Sequence, residues 1–126
     1  MRLLLDTHVV LWQLSGMREL GVRARETIGA ATELAFSAVS FAEIGVKAAA
    51  GKLSVPGDLH AQIVEAGVRV LGLAAEDGLA VASLPLHHRD PFDRLLITQA
   101  QHGGYTLVTA DPRIAAYDVT VLDPLA

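Results

Sequence analysis

Cysteine is missing from the 126-residue chain, which removes disulfides, thiolate nucleophiles and cysteine-ligated zinc from the chemistry it can perform. Any metal has to be held by oxygen or imidazole. Long apolar runs are missing too. The first, Leu3-Leu4-Leu5, stops at Asp6, too short for a signal-peptide core, and none approaches the roughly 18 uncharged apolar residues of a membrane span. A soluble protein of the cytoplasm is therefore expected. Basic charge is scarce, with 10 Lys and Arg against 14 Asp and Glu for a formal net charge of -4. That balance argues against gripping nucleic acid through a broad basic face, which needs many cations to displace counterions from phosphates. A small metal-bridged nucleic-acid site stays open.

What is abundant is apolar: 52% of residues are hydrophobic and 19% charged, with a mean hydropathy of +0.40. For a small soluble chain this predicts apolar surface that meets a partner. The length fits a single domain, residues 1–126, large enough to bury its own core without a staple. Strands are expected at Arg2 to Leu5, Leu34 to Ser37, Val68 to Leu71, Tyr105 to Thr109 and Thr120 to Leu122. Helical patterns fill the gaps: Thr7 to Leu14, Val22 to Ala31, Ser40 to Ala50, Leu59 to Ala66, Ala75 to Ser83 and Phe92 to His102, with a short turn after Pro112. Such alternation predicts an α/β fold, a three-layer α/β/α sandwich with a mostly parallel central sheet.

Four acids fall at informative places in that pattern. Asp6 ends the first strand, Glu43 is expected in the first turn of the helix after the second, Asp93 begins another helix, and Asp111 follows the fourth strand. In a parallel sheet these places share the carboxyl edge, where ligands bind in open α/β folds. Each acid also has a plain structural use. Ser40 to Glu43 has capping-box spacing and Glu43 to Lys47 that of a helical ion pair. Asp111 before Pro112 reads as an N-cap, Asp6 could be one, and Asp90 before Pro91 is assigned to capping. Asp93 resists that treatment, because it shares the apolar arc of its helix with Phe92, Leu96, Ile97 and Ala100 while Arg94, Thr98 and Gln101 take the polar arc. A core-facing carboxylate is costly unless paired or bound to metal.

If the four carboxylates meet at about 5 Å, each ionised pair repels by roughly 3 kcal/mol at an effective dielectric near 20. Arg94, Lys47 and Lys52 are the cations expected nearest, too few to neutralise the cluster. A divalent ion does so directly, and all-oxygen ligation suits Mg²⁺ or Mn²⁺. One or two such ions beside phosphate oxygens imply phosphodiester hydrolysis by ion-activated water. His87 and His88 are read as solvated loop residues. His8, His60 and His102 lack any triad arrangement. Trp12 is core by default, with dimer surface as the alternative.

The segments Arg2-Leu3-Leu4-Leu5-Asp6-Thr7, Ser40-Phe41-Ala42-Glu43, Asp90-Pro91-Phe92-Asp93-Arg94 and Thr109-Ala110-Asp111 resemble, in order and separation, the acidic motifs of PIN-domain ribonucleases, VapC-type toxins most of all. The resemblance runs from Met1 to the final strand, and His87 through Arg94 is its most specific part. It implies a Mg²⁺- or Mn²⁺-dependent endoribonuclease acting on tRNA, rRNA or mRNA, held inactive by a VapB-type antitoxin and often dimeric or hetero-oligomeric. It also implies that Asp6, Glu43, Asp93 and Asp111 are the acidic ligands, with Asp6 and Asp93 touching metal, and that Thr109 orients a ligand or water. Whether Asp111 contacts metal directly or through water stays open at this stage. A receiver-type Mg²⁺-binding signalling domain would need a late lysine, and none follows Lys52. A haloacid-type phosphatase would need a second Asp where His8 stands. A catalytically silent binding partner with the same fold is the remaining alternative.

Overall fold

The computed structural model describes residues 1–126. Five strands, β1 (Arg2–Leu5), β2 (Glu33–Ser37), β3 (Arg69–Leu71), β4 (Thr106–Val108) and β5 (Val121–Leu122), form one all-parallel sheet in the order β3-β2-β1-β4-β5. Between them run α1 (Thr7–Ser15), α2 (Val22–Gly29), α3 (Ala38–Ala49), α4 (Leu59–Glu65), α5 (Ala75–Ala80), α6 (Pro91–Gly103) and α7 (Pro112–Ala115), with a single 3-10 turn at Val81–Ser83. Every expected strand and helix is present, with ends displaced by a residue or two; the expected helix through Ser83 instead tightens into that turn.

Side-chain alternation along the strands creates the layers. Leu4 stands in register with Ala35 and Leu107, and these fully buried residues meet Leu96, Ile97 and Ala100 of α6, together with Ile114 and Tyr117. Leu5 stands in register with Phe36 and Val108 and faces the opposite way, onto Val9 and Val10 of α1, Ile44 of α3, and Leu59 and Ile63 of α4. The sheet is therefore covered on both faces, as the three-layer expectation requires. Each large apolar side chain removed from water here contributes about 1.5–3 kcal/mol. No helix is long and apolar enough to cross a membrane.

Helix α6 is the most firmly bounded element. Asp90 Oδ1 accepts from the amides of Phe92 and Asp93, Pro91 occupies the first turn, and Gly104 closes the far end at φ 69. An αL residue there suits glycine, which has no Cβ to clash. The strand order reverses between β1 and β4. The crevice at their carboxyl ends is the topological switch point of the sheet, where open α/β folds bind ligands.

Candidate acidic site at the switch point

Asp6 leaves the end of β1 with its amide still donating to the Val108 carbonyl at 3.0 Å. It has the extended backbone of an N-cap to α1, yet its side chain makes no capping bond, so the carboxylate is free for the crevice. Thr109 Oγ1 donates to Asp6 Oδ2 at 2.7 Å and accepts from the Asp111 amide at 3.2 Å. Thr7 Oγ1 donates to Ser40 Oγ at 2.8 Å, tying the start of α1 to α3. Farther along α3, Glu43 Oε2 accepts from Lys47 Nζ at 2.6 Å. Asp93, in the first turn of α6, has Oδ2 2.7 Å from His88 Nε2. Asp111 caps α7 and takes the Arg113 guanidinium at 3.0 Å, with Oδ2 3.6 Å from that same His88 nitrogen.

Asp6, Glu43 and Asp93 are 3%, 1% and 5% exposed, and in each one buried oxygen has no partner: Asp6 Oδ1, Glu43 Oε1 and Asp93 Oδ1. Leaving such a group unsatisfied ordinarily costs about 1–3 kcal/mol, more for a charge. The electrostatics agree. Burial first, then the charge of Asp6, pushes the Asp93 carboxyl up to about 6, with Asp90 and Glu43 adding and the His88 hydrogen bond opposing. Asp6 is likewise raised, by burial and by Glu43, against the Thr109 hydrogen bond and His8. Burial works to raise Asp111, but the hydrogen bonds and charge of Arg113 prevail and hold it low.

One ammonium, Lys47, touches this trio, and its own pKa rises because it donates to Glu43. Three buried, unpartnered carboxylate oxygens in excess of the available cations suit a hard divalent ion. His88, Asp90 and Asp93 are the group that brings one ligand atom each within 4.8 Å of one another. Within that grouping Asp90 Oδ1 holds two amides and His88 Nε2 meets Asp93. A cleft of about 420 Å³ lined by Asp6, His8, Trp12, Asp111 and Arg113 opens beside two of the acids, Asp6 and Asp111. A larger one of about 610 Å³, around Gln101, Tyr105 and Asp118, contains none of them.

The PIN domain family model matches residues 3–119. The chain belongs to the PIN domain family. It is 32% identical over 117 residues to Ribonuclease VapC22 of Mycobacterium tuberculosis (strain ATCC 25618 / H37Rv), a stretch covering 90% of each chain, which makes it a PIN domain of the VapC type. Among solved structures it resembles VapBC2 from Rickettsia felis bound to a DNA fragment from their promoter, with a TM-score of 0.73 at 14% identity over 97% of this chain and 98% of the other. DNA-bound VapBC from Salmonella typhimurium gives 0.68 at 15% identity over 98% of both. At those identities the likeness is one of fold.

In this PIN domain three of the four expected acids, Asp6, Glu43 and Asp93, are buried and near enough for their charges to act on one another, and Thr109 braces the first of them. Asp111 stands at the same edge but is turned toward Arg113. Several expectations are corrected. Glu43 is in the second turn of α3, because Ser37 rather than Ser40 caps that helix, accepting from the Val39 amide; the Ser40–Glu43 capping box does not form. Arg94 does not face the acids or solvent. It is 9% exposed and donates to the carbonyls of Val81, Leu84, Pro85 and His88 and to the Tyr117 hydroxyl. The segment from α5 to His88 covers the arc of α6 that a lone helix would leave wet. Lys52 is exposed. Trp12 is half-buried at the cleft mouth, with the Arg18 guanidinium 5.2 Å over its ring, rather than in the core. His88, read as solvated, is 6% exposed and is the functional candidate the sequence concealed. Its signal lay in Tyr117, 29 residues away, beyond the reach of any local pattern.

Proposed function

We propose that this PIN domain, a single unit over residues 1–126, is a Mg²⁺- or Mn²⁺-dependent endoribonuclease of the cytoplasm and the toxin of a VapBC-like toxin–antitoxin pair. The observation that carries this reading is the trio of buried, unpartnered carboxylate oxygens on Asp6, Glu43 and Asp93. In a pocket without enough cations, they make a fitting cradle for a hard dication. Asp6, Glu43 and Asp93 would hold the ion, and Asp111 would reach it through water from the rim. A dication bound there would neutralise the carboxylates and polarise a water for attack on a phosphodiester.

The remaining tasks belong to the chain itself. Thr109 fixes Asp6 Oδ2 and so leaves Oδ1 facing inward. Lys47 anchors Glu43 by Oε2 and leaves Oε1 free. The cleft beside Trp12 and Arg113 gives a nucleotide chain an approach to the acids. The activity named for the 32%-identical relative supports RNA as substrate, whether tRNA, rRNA or mRNA. The VapBC assemblies among its structural neighbours support a VapB-like antitoxin as partner and a homodimer or toxin–antitoxin hetero-oligomer. An apolar groove of about 490 Å³ lined by Val9, Leu14, Leu20, Ile28 and Ile63 is consistent with such assembly.

The test is cleavage by the purified protein. Single-stranded or looped RNA is expected to be cut only when Mg²⁺ or Mn²⁺ is supplied. Asp6→Asn and Asp93→Asn are each expected to abolish cutting while leaving the circular dichroism spectrum unchanged. Cleavage in EDTA, or full activity in both variants, would overturn the reading.

A further inference from the structure

We propose that His88 is a positioning residue: its imidazole holds one oxygen of Asp93 so that the other is presented to the divalent ion. The inference rests on the metal-dependent reading above and adds a determinant of metal affinity outside the four acids. A carboxylate turns easily about its last torsion, where the energy profile is broad. Asp93 is not free to turn. Its Oδ2 is 2.7 Å from His88 Nε2, and its unpartnered atom is Oδ1. The same nitrogen lies 3.6 Å from Asp111 Oδ2, so the imidazole also stands between two carboxylates that would otherwise compete for position.

The backbone that carries His88 is clamped for this purpose. The Tyr117 hydroxyl accepts from the His87 amide at 3.1 Å and the His88 amide at 3.0 Å. Arg94 Nη1 donates to the His88 carbonyl at 3.3 Å and to the Tyr117 hydroxyl at 3.0 Å. The His87 ring packs edge-on against Tyr117 with centroids 5.0 Å apart. Arg94 is a buried cation paired with no carboxylate, and all its bonds go to the turn leading to His88 and to Tyr117. Burying an unpaired charge is unfavourable unless its hydrogen bonds are satisfied, and here they are satisfied by fixing that turn. A histidine that only filled space would need no such scaffold.

Outer residues that orient a metal ligand typically contribute about 10–100-fold in metal affinity. The measurement is calorimetric titration of Mn²⁺ into the wild-type protein, His88→Gln and His88→Leu, with melting temperatures recorded in EDTA to report folding separately. His88→Leu keeps an apolar ring-sized volume and is expected to bind Mn²⁺ about 10–100-fold more weakly. His88→Gln keeps an N–H donor within reach of Asp93 and is expected to recover most of the affinity. A folded His88→Leu protein with wild-type affinity would overturn the inference. If His88→Leu does not fold, Tyr117→Phe carries the test. It removes the clamp and touches no acid, so Mn²⁺ binding is expected to weaken, and unchanged affinity overturns the inference. Wild-type protein that binds no Mn²⁺ would instead defeat the metal-dependent reading itself, so the two failures are distinct.

Discussion

The two ends of the sheet treat acidic side chains in opposite ways. At the amino end, where Arg2 of β1 is in register with Glu33 of β2, Glu33 is met by Arg2 at 3.5 Å, by Arg69 at 3.4 Å and by the Tyr105 hydroxyl. Arg2 in turn donates to the Gly103 carbonyl and to Tyr105, over whose ring its guanidinium also sits. Every charge there is answered, and the Tyr105 hydrogen bond and both arginines hold the Glu33 carboxyl below its ordinary range. At the carboxyl end, burial and mutual repulsion raise Asp6 and Asp93. One end stabilises the fold, and the other strains it to keep a site poised. Strand register alone does not produce this difference, because the same β1 supplies both ends. It comes from what is placed opposite each acid.

Neutralising the strained end is expected to have the largest effect. Asp93→Asn removes a charge while keeping shape, and in EDTA at pH 7 it is expected to stabilise the protein by up to about 3 kcal/mol, the worth of a rise from 3.8 to about 6. The sign follows from proton linkage. Folded Asp93 binds its proton more tightly than the unfolded chain does, so its penalty is absent near pH 4, grows as pH rises toward 6, and stays at its full value above. Urea melts across pH 4–8 should therefore show the wild-type and Asp93→Asn curves meeting at the acid end and separating through this window. Saturating Mg²⁺ should close or reverse the gap, since the ion stabilises only the folded wild type by mass action. A gap that is constant with pH, or untouched by Mg²⁺, would mean that Asp93 carries no such strain.

How much of this was legible beforehand follows the range of the interactions. The sheet could be read because short unbroken apolar runs such as Leu3-Leu4-Leu5 and Leu107-Val108, and the turn residues between elements, act within a few positions. Asp6 stood out at the junction of an apolar run with a helix, and Asp93 as a carboxylate on the apolar arc of its helix. The start of α3 was misplaced because Ser37 and Ser40 are both competent caps, and the choice between them was made by Thr7, which takes Ser40 as its hydrogen-bond partner. Arg94 and His88 were misread for one shared reason: the α5-to-Pro91 segment folds back over α6, and Tyr117, far along the chain, locks it there. A helical wheel treats α6 as if that cover did not exist.

At the satisfied end the expected effect is smaller. Glu33→Gln removes the negative charge met by Arg2, Arg69 and Tyr105 and one of its two acceptor oxygens, and at pH 7 it is expected to destabilise the fold by under about 1 kcal/mol, because both arginines are substantially exposed and solvent screens the pairs. Its pH dependence should run opposite to that of Asp93→Asn. Glu33 titrates below its ordinary value of 4.5 when folded, so its contribution is present above that value and fades as acid is added through the lowered folded value. The wild-type advantage over Glu33→Gln should then shrink toward low pH and at high salt. Mg²⁺ should leave it unchanged, because the metal acts at the far end of β1. A Mg²⁺-sensitive Glu33→Gln difference would show that the two ends are coupled, and would undo the division of labour that the sheet displays.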